Sequence, residues 1–184
     1  VASTGVLQNP EEWKRIKDKE LNPKDWEGKT PPSSNQKKTL RYIQDNVHDF
    51  AWFADKTFNI KSSSVTLPSG KIVKTFTFDP AISNKVKHVD EAVLYYSQNV
   101  GEYPYEYCSA VRGQLKAGGG MEYPMVTIIS VFNEEVIVHE VGHNWFYGIL
   151  GSNEREYPWM DEAINSFFEW ETIQDANGKL KPES

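Results

Sequence analysis

Residues 134–150, EEVIVHEVGHNWFYGIL, constrain the fold more than any other stretch of the chain. Val136, Ile137, Val138, Val141, Trp145, Phe146, Ile149 and Leu150 leave almost no polar face, so the segment predicts a largely buried helix that stops at Gly151. A buried helix has little use for free imidazoles, yet His139 and His143 stand four positions apart, one above the other on a single face. Glu140 follows His139 directly and is turned away from it by about 100°. Glu134 and Glu135 open the helix, where carboxylates favour the positive end of its dipole.

Two inward imidazoles at this spacing fit one metal ion if a third donor returns to them. Residues 152–158 are polar and turn-rich, and from Trp159 the sequence WMDEAINSFFEWETI resumes a helical pattern that runs to Asn177-Gly178. Glu162 falls in the first turn of this second helix. A loop of about ten residues spans up to ~33 Å, ample to bring Glu162 back over the two histidines. Two His and one Glu form a set that holds a catalytic zinc with a fourth position left to water. The expectation is one Zn2+ per chain on His139, His143 and Glu162, with Glu140 off the metal and free to act as general base. Ligating imidazoles donate their second ring nitrogen to a carboxylate or carbonyl, and Asp161, Glu169 and Asn144 are the candidates for that support.

Elsewhere the chain reads as mixed structure. Asp49 to Ala54, Ser64 to Leu67, Lys71 to Phe78, Cys108 to Leu115 and Met125 to Ile129 are strand-like, with a turn at Pro68-Ser69-Gly70 making a hairpin. The stretch Ala81 to Val100 carries Val86, Val89, Val93, Leu94 and Tyr96 at helical spacing. A small sheet packed on the metal-binding helices, an α+β domain, is the expected fold. Residues 1–45, rich in Lys, Glu, Asn and Pro, read as a loosely packed lead-in that Trp13 and Trp26 pin down; 46–178 form the domain and 179–184 a tail. His48 is read as structural and His88 as a helix-surface residue. With a net charge of −6 and no basic stripe, nucleic acid is not the expected partner, and no run approaches the length of a transmembrane span. The lone Cys108 precludes an internal disulfide and reads as a small core residue.

A glycine triplet precedes the helix, in Gly118-Gly119-Gly120-Met121-Glu122-Tyr123-Pro124. Glycines let a backbone approach a ligand closely, and the following extended segment can run along a bound peptide with Glu122 near its amino group. A flexible loop is the plainer alternative.

His139-Glu140-x-x-His143 with Glu162 after eighteen intervening residues, preceded by Gly120-Met121-Glu122, resembles the gluzincin zinc aminopeptidases of the aminopeptidase N family. The likeness runs from about Asn46 to Thr172, and NVHDFAWFADKTF and VIVHEVGHNWFYGILGSNEREYPWMDEAINSFFE are similar to its bacterial branch. The resemblance implies a thermolysin-like catalytic domain that hydrolyses peptide bonds at free amino termini, with His139, His143 and Glu162 on zinc and Glu140 as base. It also implies Glu122 as the anchor for the substrate amine, beside Gly119, Gly120 and Met121. The family usually continues Gly-x-Met-Glu with Asn where Tyr123 stands here. Its transition-state-stabilising Tyr lies well downstream of the third ligand, whereas 22 residues follow Glu162 and none is Tyr. Further domains before and after this one are implied as well. An endopeptidase of the same fold, or a peptide-binding scaffold without activity, remain alternatives.

Overall fold

Eight-residue strands pair where β-branched and aromatic residues alternate. In the computed structural model, which describes residues 1–26, 29–116 and 118–178, β5 (Asn59–Thr66) and β6 (Ile72–Asp79) form the expected antiparallel hairpin, longer than its strand-like core in sequence. Phe76 and Phe78 on β6 turn to one face, and Val73, between them and the turn, to the other. Earlier in the chain are β1 (Ala2–Ser3), β2 (Val6–Leu7), α1 (Pro10–Leu21), α2 (Pro23–Trp26), β3 (Tyr42–Ile43) and β4 (Trp52–Phe53). Later come α3 (Val86–Asn99), β7 (Tyr107–Arg112), β8 (Gly120–Met121), β9 (Val126–Ile129), α4 (Glu134–Gly142) and α5 (Ile164–Ala176). The main sheet has the order β5-β6-β7-β9-β8; β6, β7 and β9 run parallel, while β5 and β8 are antiparallel edges.

Helix α3 makes the crossover from β6 to β7, as parallel neighbours require. Its apolar stripe, Val86, Val89, Ala92, Val93 and Tyr96, is buried, and all but Val86 join a core shared with Val73, Ala110, Ile129, Ile137 and Val141. The metal-motif helix α4 thus lies against the sheet and α3, capped at its start by Asn133, whose side chain accepts from the Val136 amide at 3.0 Å. The opposite face of the sheet is covered by residues that composition assigned to a loose lead-in. Pro10 opens α1 with Glu11 and Glu12 behind it, and Ile16 is buried against Phe58, Phe76 and Val111. Trp13 packs on Phe76 and Tyr107 at 5.7 and 5.6 Å between ring centroids; the side chain of Trp26 and the tail 179–184 lie outside the described residues. No helix among the described residues is long and apolar enough to cross a membrane.

The second helical region departs from a single regular helix. A π-helical turn over Trp159–Ala163 leads into α5, so Glu162 sits in an underwound, wider lead-in to the helix proper. The first region departs more. Regular α-helix ends at Gly142, and Asn144–Ile149 is a wide, π-like turn broken at Phe146 (φ −88°, ψ 92°) and Tyr147 (φ 119°, ψ −65°), where one continuous helix to Gly151 was expected. Tyr147 occupies a backbone region costly for a side-chain-bearing residue, a feature that concentrates at functional sites.

Candidate metal centre

The donors come from two stretches of the chain. α4 presents His139 and His143 with their Nε2 atoms 3.0 Å apart and their rings at 86°. The turn before α5 brings Glu162 Oε2 to 3.3 Å from His139 Nε2 and 3.9 Å from His143 Nε2. Ligand atoms about 2.0–2.1 Å from a tetrahedral zinc lie about 3.3–3.4 Å from one another. Three donors that converge on one point from two helices, with this spacing and this N/N/O composition, therefore fit a zinc ion.

Two of the carboxylates singled out in the sequence lie against the imidazoles. Glu169, two turns after Glu162 on α5, meets His139 Nδ1 at 2.8 Å. His143 Nδ1 faces two acceptors, the Phe146 carbonyl at 3.1 Å and Asp161 Oδ1 at 2.6 Å; Asp161 is buried, and its Oδ1 approaches off the hydrogen-bonding line. Burial works against a charge on either imidazole, and the adjoining carboxylate outweighs it. The His139 pKa is raised on account of Glu169, and that of His143 rises to about 9 on account of Asp161. With Nδ1 of His139 turned to Glu169 and Nδ1 of His143 to the Phe146 carbonyl, Nε2 of each ring is the nitrogen that faces Glu162.

Asn144 takes no part in this. Its Oδ1 accepts from the Met125 amide at 3.1 Å and its Nδ2 donates to the Val141 carbonyl at 2.9 Å, so it ties the helix end to the start of β9 and touches neither histidine. Adjacency to His143 in the chain does not carry over to its side chain, because the next residue of a helix turns to another face. The Phe146 carbonyl does the work instead, and only the break at Tyr147 aims it inward. No residue type signals a backbone carbonyl in advance.

Glu140 lies beside the ligands, buried, with Oε2 lacking a hydrogen-bond partner among the described residues. Burial pushes its carboxyl up to about 7, against the pull of a charged His143 and with a further push from Glu122. It rests on the glycine loop. A Cβ at Gly120 would stand 2.3 Å from Glu140 Cδ and 2.4 Å from its Oε1, so only glycine leaves room for this carboxylate. Gly120 and Met121 form β8, antiparallel to β9, and Gly119 makes the preceding turn with its carbonyl accepting from the Ser130 amide and hydroxyl at 2.8 and 2.7 Å. Glu122 follows, half-buried, with a carboxylate oxygen within 4.8 Å of ligand-type atoms of His143 and Asp161; burial raises its pKa. The loop thus touches the centre at two carboxylates.

His48 packs its ring edge-on to Tyr147 with centroids 4.7 Å apart, beside the broken turn. His88 is not on the surface, as helical spacing implied. It is 8% exposed and bridges α3 to the start of α4, with Nδ1 3.0 Å from Glu91 Oε2 and 3.5 Å from Glu134 Oε1. Cys108 is buried in the core as expected.

No family model matches the chain. Human aminopeptidase Q is 40% identical over 45 residues, which are 24% of this chain and 4% of that protein. Among solved structures, a mutant of the M1 zinc metallopeptidase from Deinococcus radiodurans superposes over 97% of this chain and 38% of its own, with a TM-score of 0.64 and 15% identity. A two-domain M1 zinc metallopeptidase mutant bound to L-tryptophan gives the same coverage, TM-score and identity. In fold, this chain is similar to part of these M1 zinc metallopeptidases, and it spans little more than a third of the length of the solved structures that cover it almost completely.

Proposed function

We propose that residues 46–178 are the thermolysin-like catalytic unit of a zinc aminopeptidase, which removes residues from peptides with a free amino terminus. The observation that carries this reading is Glu140, a buried carboxylate with a free oxygen, set beside a two-His, one-Glu donor set and given its place by Gly120. A site that only bound metal for structure would have no use for a base there. When bound, zinc supplies Lewis acidity and lowers the pKa of a coordinated water towards about 7.

The chain's own groups do the rest. His139, His143 and Glu162 hold the ion, with Glu169, Asp161 and the Phe146 carbonyl fixing the imidazole tautomers. Glu140 Oε2 receives a proton from the attacking water and returns it to the leaving amine nitrogen. Glu122, facing the centre from the end of β8, binds the substrate ammonium. β8 is the last strand of the sheet, and its outer edge, unpaired among the described residues, accommodates an extended peptide along Gly120 and Met121. Gly119 serves the turn that sets this edge. A tyrosine to stabilise the tetrahedral intermediate, and domains that flank this one, belong to the parent polypeptide in this reading.

Glu140→Gln in the zinc-loaded polypeptide tests it. Zinc content should stay unchanged while turnover falls by about 10²- to 10⁴-fold. Undiminished turnover would overturn the assignment of the base, and hydrolysis of amino-blocked peptides would mark an endopeptidase.

A further inference from the structure

One stripe of α5 and its lead-in meets His139 three times. Glu162, Asn165 and Glu169 lie three and four residues apart, on one helical face. Glu162 Oε2 approaches His139 Nε2 at 3.3 Å and Glu169 holds Nδ1 at 2.8 Å. Between them, Asn165 Nδ2 donates to the backbone carbonyl of His139 at 2.8 Å. That carbonyl is shared. Its own helical partner, the His143 amide, is 3.3 Å away, longer than the usual ~2.9–3.0 Å.

Asn165 is fully buried and satisfied on its other side, where Oδ1 accepts from Tyr96 Oη of α3 at 3.1 Å. Both groups sit over Gly142, where a Cβ would lie 2.1 Å from Asn165 Oδ1 and 2.4 Å from Tyr96 Oη. α3, α4 and α5 therefore meet at a point with no spare volume. A shift of α5 along its axis would break the bond to His139 and carry Glu162 away from the two imidazoles.

We infer that Asn165 is a positioning residue of the metal centre, which fixes the helix carrying the third ligand to the backbone of the first. The inference rests on the reading that His139, His143 and Glu162 hold zinc. A merely structural asparagine would cost stability when lost; a positioning one costs metal affinity beyond what stability explains.

The test measures zinc affinity of this chain by competition with a chelating dye, alongside melting of the metal-free protein, for wild type, Asn165→Ala, Asn165→Leu and Val89→Ala. Leu keeps the volume of the site should the cavity left by Ala prevent folding. Val89→Ala, a truncation in the fully buried stripe of α3, reports what a loss of stability alone does to affinity. Both Asn165 variants should bind zinc about 10- to 100-fold more weakly, the usual effect of removing an outer-shell support, while Val89→Ala stays within about threefold. Wild-type affinity in the Asn165 variants, or an equal loss in Val89→Ala, overturns the inference and leaves the zinc reading standing. A wild-type chain that binds no zinc overturns both.

Discussion

Gly120→Ala isolates the placement of the general base. The backbone of Gly120 lies in a region open to any residue, so the whole effect is steric. The added methyl would stand 2.3 Å from Glu140 Cδ, whereas carbon atoms rest at about 3.5–4.0 Å, so the carboxylate must retreat by about 1 Å or more. The atoms met are the far end of a rotatable side chain, which places the cost at the low end of the ~1–3 kcal/mol range for overpacking. In a chain of this size that lowers Tm by about 2–4 °C. Misplacement of a reacting group by about 1 Å costs about 10²-fold in rate. Turnover of an aminoacyl p-nitroanilide by the zinc-loaded polypeptide should therefore fall about 10²-fold with zinc content unchanged. Gly70→Ala, in the turn between β5 and β6, is the control. There a Cβ meets nothing within 4 Å but φ is +88°, so a left-handed penalty of about 1–2 kcal/mol should lower Tm and leave turnover nearly intact. If Gly120→Ala keeps wild-type turnover, or if Gly70→Ala loses as much, Gly120 does not serve to seat Glu140.

Glu122→Gln keeps shape and removes charge, so it should raise KM for peptides with a free amino terminus by about 10-fold or more, a loss of ~1.4 kcal/mol, and leave binding of acetylated peptides unchanged; equal effects on both would remove Glu122 from amine recognition. Acid should loosen α1. Burial opposes the charge of Glu12, but hydrogen bonds from Arg15 at 2.5 Å and Lys38 at 2.6 Å outweigh it and hold its carboxyl below the ordinary value of 4.5. A depressed carboxyl stabilises the fold above its unfolded pKa and ceases to as pH falls through the folded one, so Trp13 fluorescence should change below about pH 4.5. Glu12→Gln should flatten that transition, and an unaltered acid limb in this variant would show that the pair does not hold the helix.

Periodicity and spacing are local properties of a chain, and they were legible. The four-residue step from His139 to His143, the apolar stripe of α3 and the turn at Pro68-Ser69-Gly70 each follow from geometry that residues impose on their own neighbours. Glu162 and Glu169 were legible for the same reason, since seven residues of helix return a side chain to one face. Partner choice is not local. Asn144 and Asn165 are both buried amides near a ligand, and nothing in one dimension says that the first turns to β9 and the second to the His139 carbonyl. Nor does composition say that Trp13 and Ile16 of a polar segment find an open sheet face to cover. The apolar run through Trp145 and Phe146 matched a continuous helix, but in the broken turn Phe146 O faces His143 and the Gly148 and Leu150 amides donate to carbonyls five residues back. Residue order alone settles which donors this protein has and on which helical faces they stand. The tertiary structure decided how far apart they lie and what holds them there, because those distances depend on contacts between helices that come together only when a common core is buried.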